Sequence, residues 1–359
     1  MRKMKFLLLP FFILAITSFQ HCSTEPELPI SKNFKWKTVS PEEINLDSNK
    51  INTGLKVAEQ QGYINSVLII KDKKIVAEKY FNGYSKNSSQ IVRSVSKSFL
   101  SAAYGIAVEK SILNVDDKIM KYLSNYKSYI IDNRYNDITI LNLLQMKGGI
   151  NNDRNVYFNA FQSKNWIKTI FELGLKYTPG TKFSYSTLGA HLLSAVLTNA
   201  TGVSSKEFVE ENLISPMGIS LEKWEKDPQG IYFGGNNMYF TSRNMAAFGL
   251  LYMNNGMLNG KQIINKGWVK RSIKYNTGNL GDWGVLKNIG YGLFWWVGKI
   301  NNLNVFTAIG HGGQFIMCVP SLNMIIVTTA ESYIYWEEAD KQETKIMDIM
   351  SKYFLTAEK

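Results

Sequence analysis

Ser94-Val95-Ser96-Lys97, followed closely by the apolar run Phe99–Ala107, is the stretch that decides how this 359-residue chain is interpreted. The run has the composition of a buried helix, so Ser94 is expected at or near a helix N-terminus. Lys97 follows one turn later on the same face. A serine hydroxyl is a weak nucleophile until a base removes its proton, and a lysine is a base only when its amine is neutral. Burial and the positive end of the helix dipole both favour the neutral amine.

The Ser-x-x-Lys spacing is not specific by itself, because Ser124 with Lys127 and Ser220 with Lys223 also match it. Context separates them, since Ser94 follows a polar loop and precedes the buried run. An ordinary helix N-cap and a solvated helix lysine explain this segment equally well when it is taken alone.

A second candidate segment is Phe183–Gly189, which contains Tyr185 and precedes a helical pattern. A tyrosine there can relay protons between a serine, a lysine and a leaving group if a nearby cation favours its phenolate, or it can simply cap the helix. The pattern Tyr-x-Asn, a tyrosine two positions before an asparagine, is matched in full by Tyr157-Phe158-Asn159 and Tyr252-Met253-Asn254, whereas Tyr185 is followed by Thr187 at that spacing. Tyr252 lies in a helical pattern and is expected in the core, whereas Tyr157 is expected in a loop at the border of a cleft.

The third candidate is the glycine cluster Gly310-His311-Gly312-Gly313-Gln314 within a run of short strands. Glycines weaken a strand, so a cluster indicates either a bulge or tight turn, or a backbone that approaches a ligand closely. Such an edge could donate a backbone N–H to an oxyanion, together with the N–H of Ser94.

The order of elements predicts an α/β (α+β) fold, with an antiparallel sheet flanked by helices and a mainly helical second lobe. A helix over 41–61 and a hairpin of Ser66–Ile70 with Lys74–Phe81 come first. Helical periodicity dominates from about 94 to 278. The end of the chain returns to strands and closes with a helix over 333–355; the predicted strands are Gly290–Val297, Val305–Ile309, Gln314–Val319 and Met324–Thr329. The sheet lobe is therefore expected at about 41–93 and 285–359, and the helical lobe at 94–284, with the active site between the lobes.

Residues 1–22 are typical of an export signal, with a basic start, a short apolar stretch and a polar exit. Cys22 either becomes the acylated first residue of a lipoprotein or is incidental to an ordinary cleavage nearby. Residues 23–40 are expected to form a tether. We therefore expect an exported protein of the periplasm or cell envelope, attached to the membrane at most through an N-terminal lipid.

The composition excludes several classes of partner and cofactor. Lys and Arg number 41 against 29 Asp and Glu, but these cations are scattered and form no basic stripe, which argues against nucleic acid. Three histidines, one of them in the signal, are too few for a His-rich zinc site. No metal and no organic cofactor is expected. The expected partner is a small-molecule or peptide-like substrate, and the oligomeric state is left open.

In this order and spacing, the three segments resemble the serine β-lactamase and penicillin-binding protein superfamily. Within it they look most like the class C β-lactamase-like hydrolases, which include esterases, DD-peptidases and 6-aminohexanoate-dimer hydrolase. The resemblance extends over about 44–354. Supporting matches include Ser215-Pro216-Met217-Gly218, Trp224 with Asp227, and Tyr291-Gly292-Leu293-Phe294-Trp295-Trp296.

The resemblance implies roles for individual residues. Ser94 is the nucleophile, Lys97 and Tyr185 exchange its proton, and the N–H groups of Ser94 and Gln314 hold the oxyanion. The residues expected to contact substrate are Tyr157, Thr187, His311, Gly312 and Gly313. Two departures stand out: Thr187 replaces the usual asparagine, and His311 replaces a lysine that binds the substrate carboxylate in β-lactamases. A neutral imidazole lacks that fixed charge, which disfavours β-lactams as the substrate.

The expected activity is hydrolysis of an amide or ester through an acyl-enzyme on Ser94. Two alternatives remain. One is a DD-peptidase or β-lactamase that acts on peptidoglycan peptides or β-lactams. The other is a non-catalytic surface binding protein on the same scaffold. An α/β-hydrolase esterase is disfavoured because the chain has no Gly-x-Ser-x-Gly elbow.

Overall fold

The structure, a computed structural model, describes residues 34–358. The predicted export signal, Cys22 and most of the predicted tether lie outside the described residues. The tether was expected to extend to Ser40, but the chain is already packed before that residue. The N–H of Phe34 donates to the carbonyl of Gly218 at 2.7 Å, and Lys37–Thr38 pair with the sheet.

Thirteen strands are found in the described part of the chain. They are β1 Lys37–Thr38, β2 Ile64–Lys71, β3 Lys74–Tyr80, β4 Gln90–Ile91, β5 Lys223–Trp224, β6 Met238–Phe240, β7 Met257–Leu258, β8 Lys261–Gln262, β9 Lys287–Tyr291, β10 Trp296–Ile300, β11 Leu303–Gly310, β12 Gln314–Val319 and β13 Met324–Ala330.

Eleven α-helices accompany these strands within the same described residues. They are α1 Ser48–Glu59, α2 Ser96–Glu109, α3 Ile140–Leu144, α4 Arg154–Gln162, α5 Trp166–Phe171, α6 Thr187–Thr201, α7 Ser205–Val209, α8 Ser215–Met217, α9 Ser242–Met253, α10 Lys266–Ser272 and α11 Trp336–Ile349.

Eight strands form one sheet in the order β1-β3-β2-β13-β12-β11-β10-β9. Every neighbouring pair is antiparallel except β1 with β3, and the central pairing of β13 with β2 sets Thr328 opposite Val67. The first and last parts of the chain therefore share one sheet, and the predicted α/β fold is confirmed.

Alternating side chains of the central strands face two separate apolar cores, because successive residues of a strand point to opposite sides. On β2, Val67 and Ile69 pack with α1 and α11, whereas Leu68 and Ile70 pack with α2 and α9. Burial of each face in this way stabilises the sheet by roughly 25 cal/mol per Å² of apolar area removed from water.

Helix α2 is the element that positions the candidate nucleophile, and it runs through the second of these cores. Every residue from Ser96 to Ala107 is buried, and Phe99 stacks between Phe240 at 4.4 Å and Phe248 at 3.8 Å between ring centroids. A helix that is buried on all sides is typical of a core position. The rigid surroundings keep its first turn in a defined place.

Four local predictions need correction. The segment 41–61 is a short 3₁₀ turn followed by α1, because Asn45 adopts a left-handed conformation and Asp47 then caps a new helix. The predicted strand Gly290–Val297 is two strands, β9 and β10, separated by a turn at the positive-φ residue Phe294. Tyr157 lies in α4 rather than in a loop. The final helix begins at Trp336, and a π-helical turn over Met350–Phe354 follows its end at Ile349.

Candidate active site

A cavity of about 1000 Å³ lies beside the start of α2. Nineteen residues line it; those predicted as site residues are Ser94, Tyr157, Tyr185, Thr187 and His311. The fold thus brings five of the predicted residues to one space, although they span more than 200 positions of the chain.

Ser94 lies in the 3₁₀ turn Arg93–Val95 directly before α2, as the sequence predicts. Ser96 holds this turn in place, since its hydroxyl donates to the Arg93 carbonyl at 2.7 Å and accepts from the Met238 N–H at 3.1 Å. Arg93 has a φ of +48°, a conformation that non-glycine residues rarely adopt. Strained backbone of this kind is concentrated at functional sites, where the surroundings enforce it.

Lys97 is buried, with 1% of its surface exposed, and its Nζ lies 2.8 Å from Oγ of Ser94. Its other two hydrogen-bonding contacts are the Gly235 carbonyl at 2.6 Å and Oγ1 of Thr187 at 3.1 Å. Burial lowers the pKa of Lys97 well below its ordinary value. A neutral amine can donate to Gly235 and Thr187 and use its lone pair to accept the proton of Ser94.

Gly235 is a contributor that the sequence analysis missed. A Cβ atom at this position would lie 2.5 Å from Cγ2 of Thr187, so only glycine lets the carbonyl approach Lys97 this closely. The run Gly234-Gly235 within a polar loop was the available signal.

Tyr185 lies over Lys97, with Nζ 4.9 Å from the centroid of its ring, and the ring stacks on Trp296 at 5.7 Å. Burial raises the pKa of Tyr185, and a hydrogen bond to Ser94 opposes this increase. These directions favour a protonated phenol beside a neutral amine. They do not support a resting phenolate stabilised by a cation, the condition considered for the relay in the sequence analysis.

The glycine cluster forms the tight turn between β11 and β12. His311 lines the cavity, and its Nε2 donates to the carbonyl of Ile334 at 2.9 Å. Burial lowers the pKa of His311, so its imidazole is neutral near pH 7. Gly312 and Gly313 lie behind His311 and outside the cavity wall, in positive-φ conformations at +84° and +110°. Both glycines were expected to contact substrate, but they shape the turn and do not line the cavity.

Gln314 is fully buried and is not part of the cavity wall. Its side chain donates to the carbonyl of Ala330 at 2.8 Å, and its backbone pairs with Gly310 across the β11–β12 turn. Gly310 packs on the Ser94 segment, since a Cβ there would lie 2.4 Å from the carbonyl of Val92. The oxyanion role of the Gln314 N–H stays a prediction.

The alternative matches are placed far from this chemistry. Ser124 is exposed in a surface 3₁₀ turn with Lys127, and the Ser220 hydroxyl donates to Glu222. Tyr252 is buried in α9 against Trp295 at 4.6 Å, which confirms its predicted core position.

Within residues 34–358, no group of three or more His, Cys, Asp or Glu side chains is arranged to hold a metal ion. In the same range, no helix is both long enough and apolar enough to cross a bilayer.

Comparison with known proteins identifies the family. The family model described as Beta-lactamase matches residues 58–342, which is most of the chain. The chain belongs to the β-lactamase family. The predicted resemblance to the serine β-lactamase and penicillin-binding protein superfamily is confirmed.

Individual relatives of this β-lactamase-family chain are distant. An uncharacterized protein of Alkalihalophilus pseudofirmus is 26% identical over 306 residues, covering 75% of this chain and 84% of its own. The 6-aminohexanoate-dimer hydrolase of Paenarthrobacter ureafaciens is 20% identical over 297 residues, covering 77% and 74%. The octameric penicillin-binding protein homologue from Pyrococcus abyssi superposes with a TM-score of 0.66 at 18% identity, covering 86% and 79%. The last comparison shows a shared fold.

Proposed function

We propose that the chain is a serine hydrolase that cleaves an amide or ester through an acyl-enzyme on Ser94. The observation that carries the proposal is the 2.8 Å contact between Ser94 Oγ and the buried amine of Lys97, whose pKa is lowered by burial. A neutral amine at that distance can remove the serine proton as the hydroxyl attacks a carbonyl.

We propose that the proton reaches the leaving group through Lys97 and Tyr185, which both contact Ser94. Lys97 takes the proton from Ser94, and Tyr185 donates its phenolic proton to the departing amine or alcohol as the carbonyl–heteroatom bond breaks. The protonated Lys97 restores the proton of Tyr185. In deacylation, a water gives its proton to this pair and attacks the acyl carbon, and Ser94 regains its hydrogen. The N–H groups of Ser94 and Gln314 are proposed to hold the oxyanion in both steps.

Hydrolysis of amides or esters other than D-Ala-D-Ala peptides and β-lactams is favoured over the DD-peptidase and β-lactamase alternative. His311 stands where the resemblance leads one to expect a lysine, and its neutral imidazole already donates to Ile334. It supplies no cation for a substrate carboxylate. The relative named 6-aminohexanoate-dimer hydrolase fits an amide substrate, and the penicillin-binding homologue keeps the alternative open to test.

The test is a substrate panel on the wild type and Ser94→Ala. The panel contains p-nitrophenyl esters, short amides, D-Ala-D-Ala peptides and cephalosporins. Ser94-dependent turnover of esters or amides supports the proposal, and turnover confined to cephalosporins or D-Ala-D-Ala peptides supports the alternative. Complete inertness, including towards fluorophosphonates, would indicate a binding protein on this scaffold.

We also propose, from the sequence alone, that the chain is exported and acylated at Cys22. Metabolic labelling with palmitate should mark the wild type in a bacterial host and should not mark Cys22→Ala. Equal labelling of both proteins, or of neither, would reject acylation at this residue.

A further inference from the structure

The cavity beside Ser94 has a largely aromatic wall. Eight of its lining residues are Tyr157, Phe158, Tyr185, Trp283, Trp296, Tyr333, Tyr335 and Trp336. Three of these, at positions 333, 335 and 336, are exposed by 74%, 74% and 51% of their surface although they are large and apolar. Such rings around an opening are typical of a binding site rather than of a solvated surface.

Two carboxyl groups of α11 line the same cavity. Glu343 is buried, with 7% of its surface exposed, and Asp340 is exposed one turn earlier on the same helical face. Oε1 of Glu343 accepts the N–H of Gly312 at 2.6 Å. The carboxyl is therefore held rigidly behind the His311 turn, at the wall of the space that Ser94 also borders.

The basic side chains of this wall are Arg93 and His311, and Lys97 lies next to it through its contact with Ser94. The Arg93 guanidinium donates to Oγ and the carbonyl of Ser332, at 3.0 and 2.8 Å, and lies 4.4 Å from the ring centroid of Tyr333. Lys97 is held neutral by burial, and so is His311. A substrate carboxylate entering here would meet the negative charge of Asp340, and that of Glu343 once Glu343 has lost its proton. Arg93 is the charged cation of this wall, and its N–H groups already donate to Ser332.

We propose that the substrate carries an ammonium group, which binds Glu343 and Asp340 while its apolar part lies on the aromatic wall. Carboxylates combined with aromatic faces are a favourable environment for an alkylammonium ion. The inference rests on the proposed function for the reaction, and it names Glu343 as a specificity-determining residue. The expected substrates are amides or esters that bear an amine, and substrates that end in a carboxylate are disfavoured.

Proton release should accompany binding. Burial and the charge of Asp340 raise the pKa of Glu343 to about 8, and the hydrogen bond from Gly312 opposes this. A bound cation favours the carboxylate and displaces the proton. Affinity for a permanent cation should therefore increase as the pH rises towards 8. The other titratable groups that line the same cavity are Arg93, Tyr157, Tyr185, His311, Tyr333 and Tyr335, and the charge of Glu343 raises the pKa of Tyr185.

The experiment measures binding to Ser94→Ala, so its result does not depend on turnover. The ligands are 4-(trimethylammonio)benzyl alcohol, its neutral isostere 4-tert-butylbenzyl alcohol, and the anion 4-(hydroxymethyl)benzoate. We expect the cation to bind at least tenfold more tightly than the isostere at pH 8.5, and the anion to bind most weakly. Calorimetric titration gives the three dissociation constants.

Variants of the carboxyl groups, made in the Ser94→Ala protein, show which residue causes the preference for the cation over its neutral isostere. Glu343→Gln keeps an acceptor for the Gly312 N–H, so the turn should be retained while the charge is lost, and the preference should drop to less than threefold. Asp340→Asn should reduce it partly. Glu338→Gln makes the same charge change on an exposed part of α11 outside the cavity wall, and it should leave the preference unchanged.

Equal affinity for cation and isostere, absence of binding, or a preference that survives Glu343→Gln would overturn the inference. The proposed function stands or falls separately, on whether wild-type turnover of neutral p-nitrophenyl esters depends on Ser94.

Discussion

Nζ of Lys97 lies 2.8 Å from Oγ of Ser94 in a setting that removes the amine from water. Its further hydrogen bonds go to a carbonyl and a hydroxyl, groups that provide no negative charge. An amine in such surroundings loses its proton at a lower pH than a solvated lysine, which is the condition a general base must meet.

Ser94→Ala should abolish labelling by a fluorophosphonate probe and lower hydrolysis to the background rate. The hydroxyl oxygen of Ser94 is proposed to form the ester bond of the acyl-enzyme, so no other side chain can substitute for it. Ser124→Ala is the matched control, because Ser124 also precedes a lysine by three positions but lies on the surface. Labelling is read by gel fluorescence, and undiminished labelling of Ser94→Ala would remove this serine from the mechanism.

Lys97→Arg and Lys97→Met should each lower kcat/KM by roughly 10²- to 10⁴-fold. The guanidinium stays charged at any working pH, and methionine has no basic nitrogen. In the wild type, kcat/KM should rise with pH as Lys97 loses its proton, and the midpoint should lie well below 10.5, the ordinary pKa of lysine.

Lys127→Met is the control for the Lys97 variants, since Lys127 belongs to the surface Ser-x-x-Lys match. A Lys97→Met protein with wild-type kcat/KM, or a profile that reaches its midpoint only near 10.5, would refute the assignment of the base.

Tyr185→Phe should lower kcat about 100-fold with little change in KM. Phenylalanine keeps the ring that stacks on Trp296, so the fold and the cavity wall are retained, and only the hydroxyl that moves the proton is lost. Tyr252→Phe makes the same change in the core of α9 and should preserve kcat. Steady-state kinetics on one ester and one amide provides the measurement, and the loss should be larger for the amide because its leaving group needs the proton. Equal kcat values for wild type and Tyr185→Phe would exclude the relay.

Glu343 should make the protein less stable as the pH rises from about 5 to 8. Its folded-state pKa of about 8 exceeds its ordinary value of 4.5, so the folded state binds more protons than the unfolded chain between these values. The free energy of unfolding should therefore fall with pH there, by up to about 1.4 kcal/mol per pH unit from this group.

Urea denaturation at pH 5, 7 and 8.5 measures that slope. Glu343→Gln should remove most of this residue's contribution and be more stable than the wild type at pH 8.5, while Glu338→Gln should follow the wild type. Parallel curves for the wild type and Glu343→Gln would show that the Glu343 carboxyl titrates normally.

Much of the fold could be predicted from local patterns. The spacing of apolar residues predicts the hairpin of β2 and β3, the strands β11 to β13 and the buried character of α2. This spacing can be recognised within a short segment, without knowledge of the rest of the chain. The two strands β9 and β10 were predicted as one. The turn between them has Phe294 in a left-handed conformation, and phenylalanine is not a residue type that indicates a turn.

Part of the candidate site could likewise be predicted from local sequence, and part could not. Ser94 and Lys97 are one helical turn apart, so their proximity is a local property of the segment. Glu343 and Gly235 were missed because nothing in their own segments indicates which element they will contact.

The amino-acid sequence by itself determined the family, the order of sheet and helix segments and the pairing of a serine with a lysine, because these depend on motifs and periodicities within short windows. Tertiary structure alone decided that Tyr185 lies over Lys97, that the His311 turn rests on Glu343, and that two carboxyl groups border the cavity. These arrangements depend on how distant elements pack, and packing determines burial, which in turn sets the charge of each group.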